Sequence, residues 1–206
     1  MMQESSGADA ASTAAGERQA ILRWRRDERA RLIAARLAMA SAERAAAAAR
    51  IAARLDGLLP ELAGRTVSLY WPMRGEPDLR SWLAAAVGRG ACCALPLVVE
   101  KNAPLVFRSW RPGEPLARGV WNIPVPAEGS VVTPDVVLAP LVGFDAAGYR
   151  LGYGGGYFDR TLAALPARPL VIGIGYAGAA IATIRPLAHD IPMDVIVTEE
   201  AEHRRG

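Results

Sequence analysis

Gly148-Tyr149-Arg150-Leu151-Gly152-Tyr153-Gly154-Gly155-Gly156-Tyr157-Phe158-Asp159-Arg160 is the stretch from which the rest of the chain can be read. Four glycines fall within five positions, flanked by two arginines, with tyrosines between and an aspartate near the end. Glycines so close together strip the backbone of side chains, and its N–H groups can converge on an anion. Arg150 and Arg160 add positive charge, and Asp159 offers oxygen to a metal ion. No G-K-[ST] follows, so this is not a Walker A loop, and Tyr157 stands where G-x-G-x-x-G needs its third glycine. Two readings stand on these residues alone: a loop that cradles a nucleotide triphosphate with magnesium, or a tight turn imposed by packing. Tyr153 and Tyr157 offer flat faces and hydroxyls to a ring-bearing ligand, which favours the first.

Working outward, residues 136–139 form a short apolar run just before this loop, and 156–165 read as a helix just after it. Further strands are expected at 67–70, 92–98, 105–108, 170–176 and 195–198. Pro77 is placed to open a helix running to about 87, and the Pro- and Gly-rich segment 110–130 reads as a long loop. Residues 17–57 lack proline and internal glycine, which favours long helix. Ile21, Trp24, Leu32 and Leu37 supply its apolar contacts, and Ser41 is the expected N-cap of a second helix ending near Gly57. Strands alternating with helices predict an α/β fold: a single three-layer domain, a mostly parallel sheet with helices on both faces, and a long N-terminal helical segment. Ligands of such folds bind at the carboxyl ends of strands, where the glycine loop falls. The Ala/Ser/Gly-rich residues 1–16 read as a disordered tail without signal-peptide character, and 17–206 as the domain itself.

Composition narrows the function. Apolar residues make up 51% of 206, which is globular rather than disordered. Residues 18–54 hold ten arginines against three acids, and Lys101 is the only lysine, so lysine's usual roles fall to arginine. Nucleic-acid binding is disfavoured, because this helix also carries apolar residues and the net charge is only +3. Cys92 and Cys93 are neighbours on a strand and point to opposite faces, so no ordinary disulfide joins them and they read as two buried thiols of a reducing cytoplasm. No apolar run is long enough to span a membrane.

The ordered set of motifs resembles the 5-formyltetrahydrofolate cyclo-ligase family. The resemblance rests on Leu138-Ala139-Pro140-Leu141-Val142-Gly143-Phe144-Asp145 leading into the 150–160 signature. It rests also on Trp121-Asn122-Ile123-Pro124, on Tyr70-Trp71-Pro72-Met73-Arg74-Gly75-Glu76, and on His189-Asp190 followed by Val195-Ile196-Val197-Thr198-Glu199. It implies an ATP- and Mg²⁺-dependent enzyme that closes 5-formyltetrahydrofolate to 5,10-methenyltetrahydrofolate, acting as a monomer or weak homo-oligomer. By the same resemblance, ATP is held by Arg25, Arg29, Arg150, Leu151, Gly152, Tyr153, Gly154, Gly155, Gly156, Tyr157 and Phe158. Arg25 and Arg29 match a K-x-x-x-R element, with Arg26 the fallback if the register slips by one. The folate falls to Trp71, Glu76, Trp121, Tyr153 and Tyr157, and magnesium to Asp159 and Asp190. Bland alternatives stay open for several of these: a surface carboxylate for Glu76, a core ring for Trp71, a packing anchor for Trp121 and a turn aspartate for Asp190. His189 reads as structural. Phe158 departs from the tyrosine the family often has there.

Overall fold

The computed structural model describes residues 5–205. In chain order its helices are α1 (Ser5–Ala38), α2 (Ser41–Leu58), α3 (Arg80–Gly88) and α4 (Tyr157–Ala164). Its strands are β1 (Thr66–Ser68), β2 (Cys92–Leu97), β3 (Val106–Ser109), β4 (Leu116–Arg118), β5 (Pro124–Pro126), β6 (Val136–Pro140), β7 (Gly143–Phe144), β8 (Arg150–Leu151), β9 (Leu170–Ile174), β10 (Val195–Val197) and β11 (Glu202–Arg204).

Seven strands form one sheet in the order β3-β2-β1-β6-β9-β10-β11. The five inner strands are parallel to their neighbours, and an antiparallel strand closes each edge. Period-two alternation sorts the side chains. Val67, Leu69, Cys93, Leu95, Val136, Leu138, Ile172, Ile174, Val195 and Val197 pack on one face with Ile51 and Leu55 of α2 and Trp82 and Leu83 of α3. Ala94, Val137, Ala139, Val171 and Ile196 face the other way, against Phe144, Phe158 and Leu162. The result is the expected three-layer α/β domain. The indole N–H of Trp82 donates to Asp56 at 2.9 Å and ties α3 to α2.

From β1 the chain moves outward through β2 to β3, then returns to the opposite side of β1 as β6. The carboxyl ends of β1 and β6 therefore border a topological switch point, the crevice where open α/β sheets bind ligands.

Several local expectations are corrected. Helix α1 begins at Ser5, within the segment read as a disordered tail: it is Ala-rich and proline-free, and helix propensity extends it. Residues 1–4 of that segment lie outside the described residues. The cap before α2 is the extended Ala40, with Ser41 already in the helix and no side-chain cap bond. Pro77 does not open α3; its carbonyl accepts from the Tyr70 hydroxyl at 2.8 Å, which holds it in the preceding loop. The segment 110–130 carries the β4–β5 hairpin. Leu37 is exposed at 54%. Spacings of four, three and four put Arg25, Arg29, Leu32 and Arg36 on one face of α1, and of these Arg25, Leu32 and Arg36 are buried.

Candidate active site

A cavity of about 730 Å³ opens at the switch point. The glycine loop and the start of α4 form one wall; Tyr70, Trp71 and Glu76, after β1, form another; Leu95, Pro96 and Pro140 line its base. Its size suits a small-molecule site, typically about 300–1,000 Å³.

The β7–β8 hairpin delivers the glycine loop. Asp145, buried at its turn, accepts from the backbone N–H groups of Ala147 (3.1 Å), Tyr149 (3.1 Å) and Ile184 (2.9 Å). Gly154 has φ +93° and Gly156 φ +63°, conformations that L side chains avoid. A Cβ on Gly154 would stand 3.4 Å from the Arg29 guanidinium carbon. Gly156 is the N-cap of α4, and Gly156, Tyr157, Phe158 and Asp159 line the cavity, which sets the end of a helix that favours anions against it.

Arginines surround this wall. Arg29 donates from Nε to the Gly152 carbonyl at 2.6 Å. Burial, then the charge of Arg25, pulls its pKa below the usual arginine value. Arg25 is committed elsewhere. Its Nε donates to the Ile184 carbonyl (2.9 Å), and Nη2 donates to the Arg185 carbonyl (2.8 Å) and to the Asp190 carboxylate (2.5 Å). Arg26 is solvent-exposed and pairs with Asp27, which removes it as the fallback. Arg150 is buried, with Nη2 on Asp159 at 3.1 Å and Nε without a partner among the described residues. Phe158 lies under its guanidinium, 5.1 Å from ring centroid to carbon.

Asp190 also accepts from the Leu187 N–H at 2.6 Å, the turn role that stood as the alternative to metal binding. Burial pushes its carboxyl upward, but the Arg25 and Leu187 hydrogen bonds outweigh this and leave it below the usual range. Each cavity aspartate has one lightly engaged oxygen. Among the described residues, Oδ1 of Asp159 accepts only a 3.3 Å bond from Ile191 N–H, and Oδ1 of Asp190 one of 3.3 Å from Arg25. Among the described residues no cluster of three or more His, Cys, Asp or Glu is arranged to hold a metal unaided. The exposed His189 imidazole lies 3.9 Å from Asp190.

The opposite wall is built around Glu76, which is 6% exposed and so no surface carboxylate. Its Oε1 accepts from the Tyr153 hydroxyl at 2.7 Å, and Oε2 from the Met73 N–H at 2.8 Å. Burial raises its pKa above the ordinary value despite these bonds and the nearby Arg36 and Arg74. Trp71 is half-buried, edge-on to Trp110 at 6.1 Å, and also lines the cavity. Trp121 is 63% exposed, which ends its reading as a packing anchor. It and Asn122 are successive left-handed residues (φ 55° and 61°) that hold the indole edge-on to Tyr157 at 5.6 Å over the cavity.

The structure thus brings every expected site residue to one cavity. Sequence reasoning missed Arg36, Arg74 and Asp145. The 25-29-32-36 stripe pointed to Arg36, and Asp145 with Gly148 three residues on is a turn signature.

A glycine-rich loop and a buried carboxylate lining one cleft at a sheet's switch point define an α/β enzyme with a small-molecule cleft. Residues 21–199 match the model of the 5-formyltetrahydrofolate cyclo-ligase family, and the chain belongs to that family. It is 33% identical over 153 residues to the 5-formyltetrahydrofolate cyclo-ligase of Mycolicibacterium smegmatis, covering 70% of this chain and 77% of that one. The NMR structure of Aquifex aeolicus 5,10-methenyltetrahydrofolate synthetase superposes with a TM-score of 0.75 at 32% identity, over 87% of this chain and 92% of the other. A 5,10-methenyltetrahydrofolate synthetase from Mycoplasma pneumoniae shares the fold at 23% identity, with a TM-score of 0.71 over 85% and 98% of the two chains. No described helix is long and apolar enough to cross a membrane.

Proposed function

We propose that this enzyme converts 5-formyltetrahydrofolate and ATP to 5,10-methenyltetrahydrofolate, ADP and phosphate. The observation that carries the reading is the single cavity in which a glycine loop with arginines faces a buried carboxylate. The first wall suits a triphosphate, and Glu76 suits the N–H edge of an aminopyrimidine ring.

The chemistry asks for little covalent help. The formyl oxygen bonds to the γ-phosphorus and ADP leaves. N10 then bonds to the formyl carbon, the carbon–oxygen bond breaks, phosphate departs, and the N10 proton passes to water. Phosphoryl transfer needs positioning and charge neutralisation, which Arg29, Arg150 and the loop N–H groups supply without a side-chain nucleophile. Trp121 and Tyr157 offer ring faces and edges at the mouth.

Magnesium, bound with the triphosphate, neutralises charge on the phosphate oxygens. Asp159 and Asp190 would hold such an ion, each through its lightly engaged Oδ1. Asp159→Asn is expected to weaken the magnesium dependence of the rate, read from a metal titration; an unchanged titration removes Asp159 from this role. Of the two thiols expected to be buried, only Cys93 is; burial pushes it up to about 12 and keeps it protonated, whereas Cys92 is exposed.

The test is the methenyl-folate absorbance band, followed with and without ATP, beside ADP release. The band should form only with ATP, with one ADP per methenyl product. A band without ATP, or nucleotide binding without turnover, overturns the proposal; the second result would mark a sensor.

A further inference from the structure

Arg36 lies at the carboxyl-terminal end of α1, buried, and does not line the cavity. Its three donor nitrogens reach three separate segments. Nε donates to the Arg74 carbonyl at 2.9 Å, Nη1 to the Leu141 carbonyl at 3.3 Å, and Nη2 to the Tyr153 hydroxyl oxygen at 2.6 Å. These are the loop after β1, the segment after β6 and the glycine loop.

The contact with Tyr153 has a direction. Arginine can only donate, and a phenol has a single proton. With Arg36 donating to its oxygen, Tyr153 must donate its proton to Glu76 Oε1, 2.7 Å away. Met73 N–H occupies one position on Oε2. Each oxygen keeps a further lone pair, and Glu76 lines the cavity.

We infer that Arg36 is a positioning residue for substrate: through the Tyr153 hydroxyl it fixes the orientation of Glu76, so that the carboxylate presents its free lone pairs to the folate ring. The inference rests on Glu76 being the folate ligand, as proposed above.

The charges around Glu76 give it a second consequence. Arg36 faces it from α1, Arg74 from its own loop, Tyr153 from the glycine loop, Tyr70 from the end of β1 and Tyr176 from beyond β9. Arg44 and Glu199 stand further out, acting on Tyr176. Of the groups facing Glu76 directly, only Arg36 and Arg74 are cationic, and burial opposes them. Losing Arg36 removes one of two opposing charges and frees the Tyr153 proton to turn away. Glu76 then protonates more readily, loses the charge that strengthens its hydrogen bonds to ring N–H groups, and presents an O–H donor in place of one acceptor.

The experiment uses full-length Arg36→Met, Arg36→Lys, Tyr153→Phe and Glu76→Gln, with KM for 5-formyltetrahydrofolate and for ATP measured separately across pH. Arg36→Met should raise the folate KM about ten-fold and leave the ATP KM within about two-fold. The acid limb of kcat/KM for folate should move up by about one pH unit or more. Arg36→Lys keeps the charge but not the three-way fork, so it should return the limb towards wild type while leaving most of the KM rise. In a Glu76→Gln background, Arg36→Met should add nothing to the folate KM. Normal folate binding by Glu76→Gln overturns the reading of Glu76 itself. Weak binding by Glu76→Gln beside an unmoved limb and KM in Arg36→Met overturns only the role of Arg36. Equal rises in both KM values, or a lower kcat with no shift of the limb, also overturn it by marking Arg36 as merely structural. Should Arg36→Met fail to fold, Tyr153→Phe cuts the same bridge and must move the same limb; an unmoved limb there overturns the inference.

Discussion

The two walls of the cavity handle buried charge in opposite ways. On the glycine-loop wall, arginine meets carboxylate directly: Arg25 with Asp190 at 2.5 Å and Arg150 with Asp159 at 3.1 Å. On the other wall, a neutral phenol stands between Arg36 and Glu76. Direct pairing lowers a carboxyl pKa, as at Asp190, whereas the bridged carboxylate of Glu76 stays above its ordinary value. On the function proposed above, the wall assigned to polyphosphate gains from cations kept charged and in place. A wall that meets a neutral ring gains from a carboxylate whose lone pairs are not consumed by a guanidinium.

This contrast can be broken experimentally. The largest effect is expected for Arg150→Met, which takes the buried guanidinium from the partly buried Asp159 carboxylate. Breaking a buried pair costs about 3–5 kcal/mol, or roughly 10 °C of melting temperature in a chain of this size. Adding Asp159→Leu should restore the melting temperature but not methenyl formation, which separates folding from phosphate binding. Next is Glu76→Ala, which removes charge-assisted hydrogen bonds worth about 1.5–3 kcal/mol. The folate KM should rise by about ten- to a hundred-fold while the ATP KM holds; the reverse pattern in initial-rate assays would merge the two walls. Gly154→Ala forces a side chain to φ +93° beside Arg29, a strain of about 1–2 kcal/mol. The ATP KM should rise about ten-fold and the folate KM stay unchanged.

The smallest effect is in the pH dependence of stability, where the walls should slope in opposite directions. Glu76 has a folded pKa above its ordinary 4.5. Its contribution is therefore full below 4.5 and declines as pH rises through the folded value. Asp190 has a folded pKa below its ordinary 3.8. It contributes above 3.8 and loses that contribution as pH falls through the folded value. Melting curves of Glu76→Gln and Asp190→Asn against pH should flatten these two slopes separately; one shared slope would erase the distinction.

Much of this was legible in the chain. Apolar runs marked the inner strands to within a residue or two, because both faces of a central parallel strand are buried. The glycine loop announced itself through composition and fell at the carboxyl end of β6 as expected. Short pairings were not legible. β11, Glu202-His203-Arg204, is an edge strand with no apolar alternation, and β7–β8 pairs only two residues on each side. The inner face of α1 was misjudged for a related reason. Hydrophobic periodicity passes over a stripe whose core positions are arginines, and it promoted the exposed Leu37 instead. Buried arginines of this kind are paid for by carbonyls and carboxylates from distant segments, which no local pattern reports.

That distance has a consequence for biogenesis. Arg25 and Asp190 are separated by 165 positions, yet their ion pair lines the cavity beside the glycine loop. Until the ribosome has released the segment bearing Asp190, α1 has nothing to receive its guanidinium, and the pocket cannot exist in finished form on a nascent chain. The inner strands can pair as they emerge, but this wall of the cavity is completed only when the segment around Asp190 arrives.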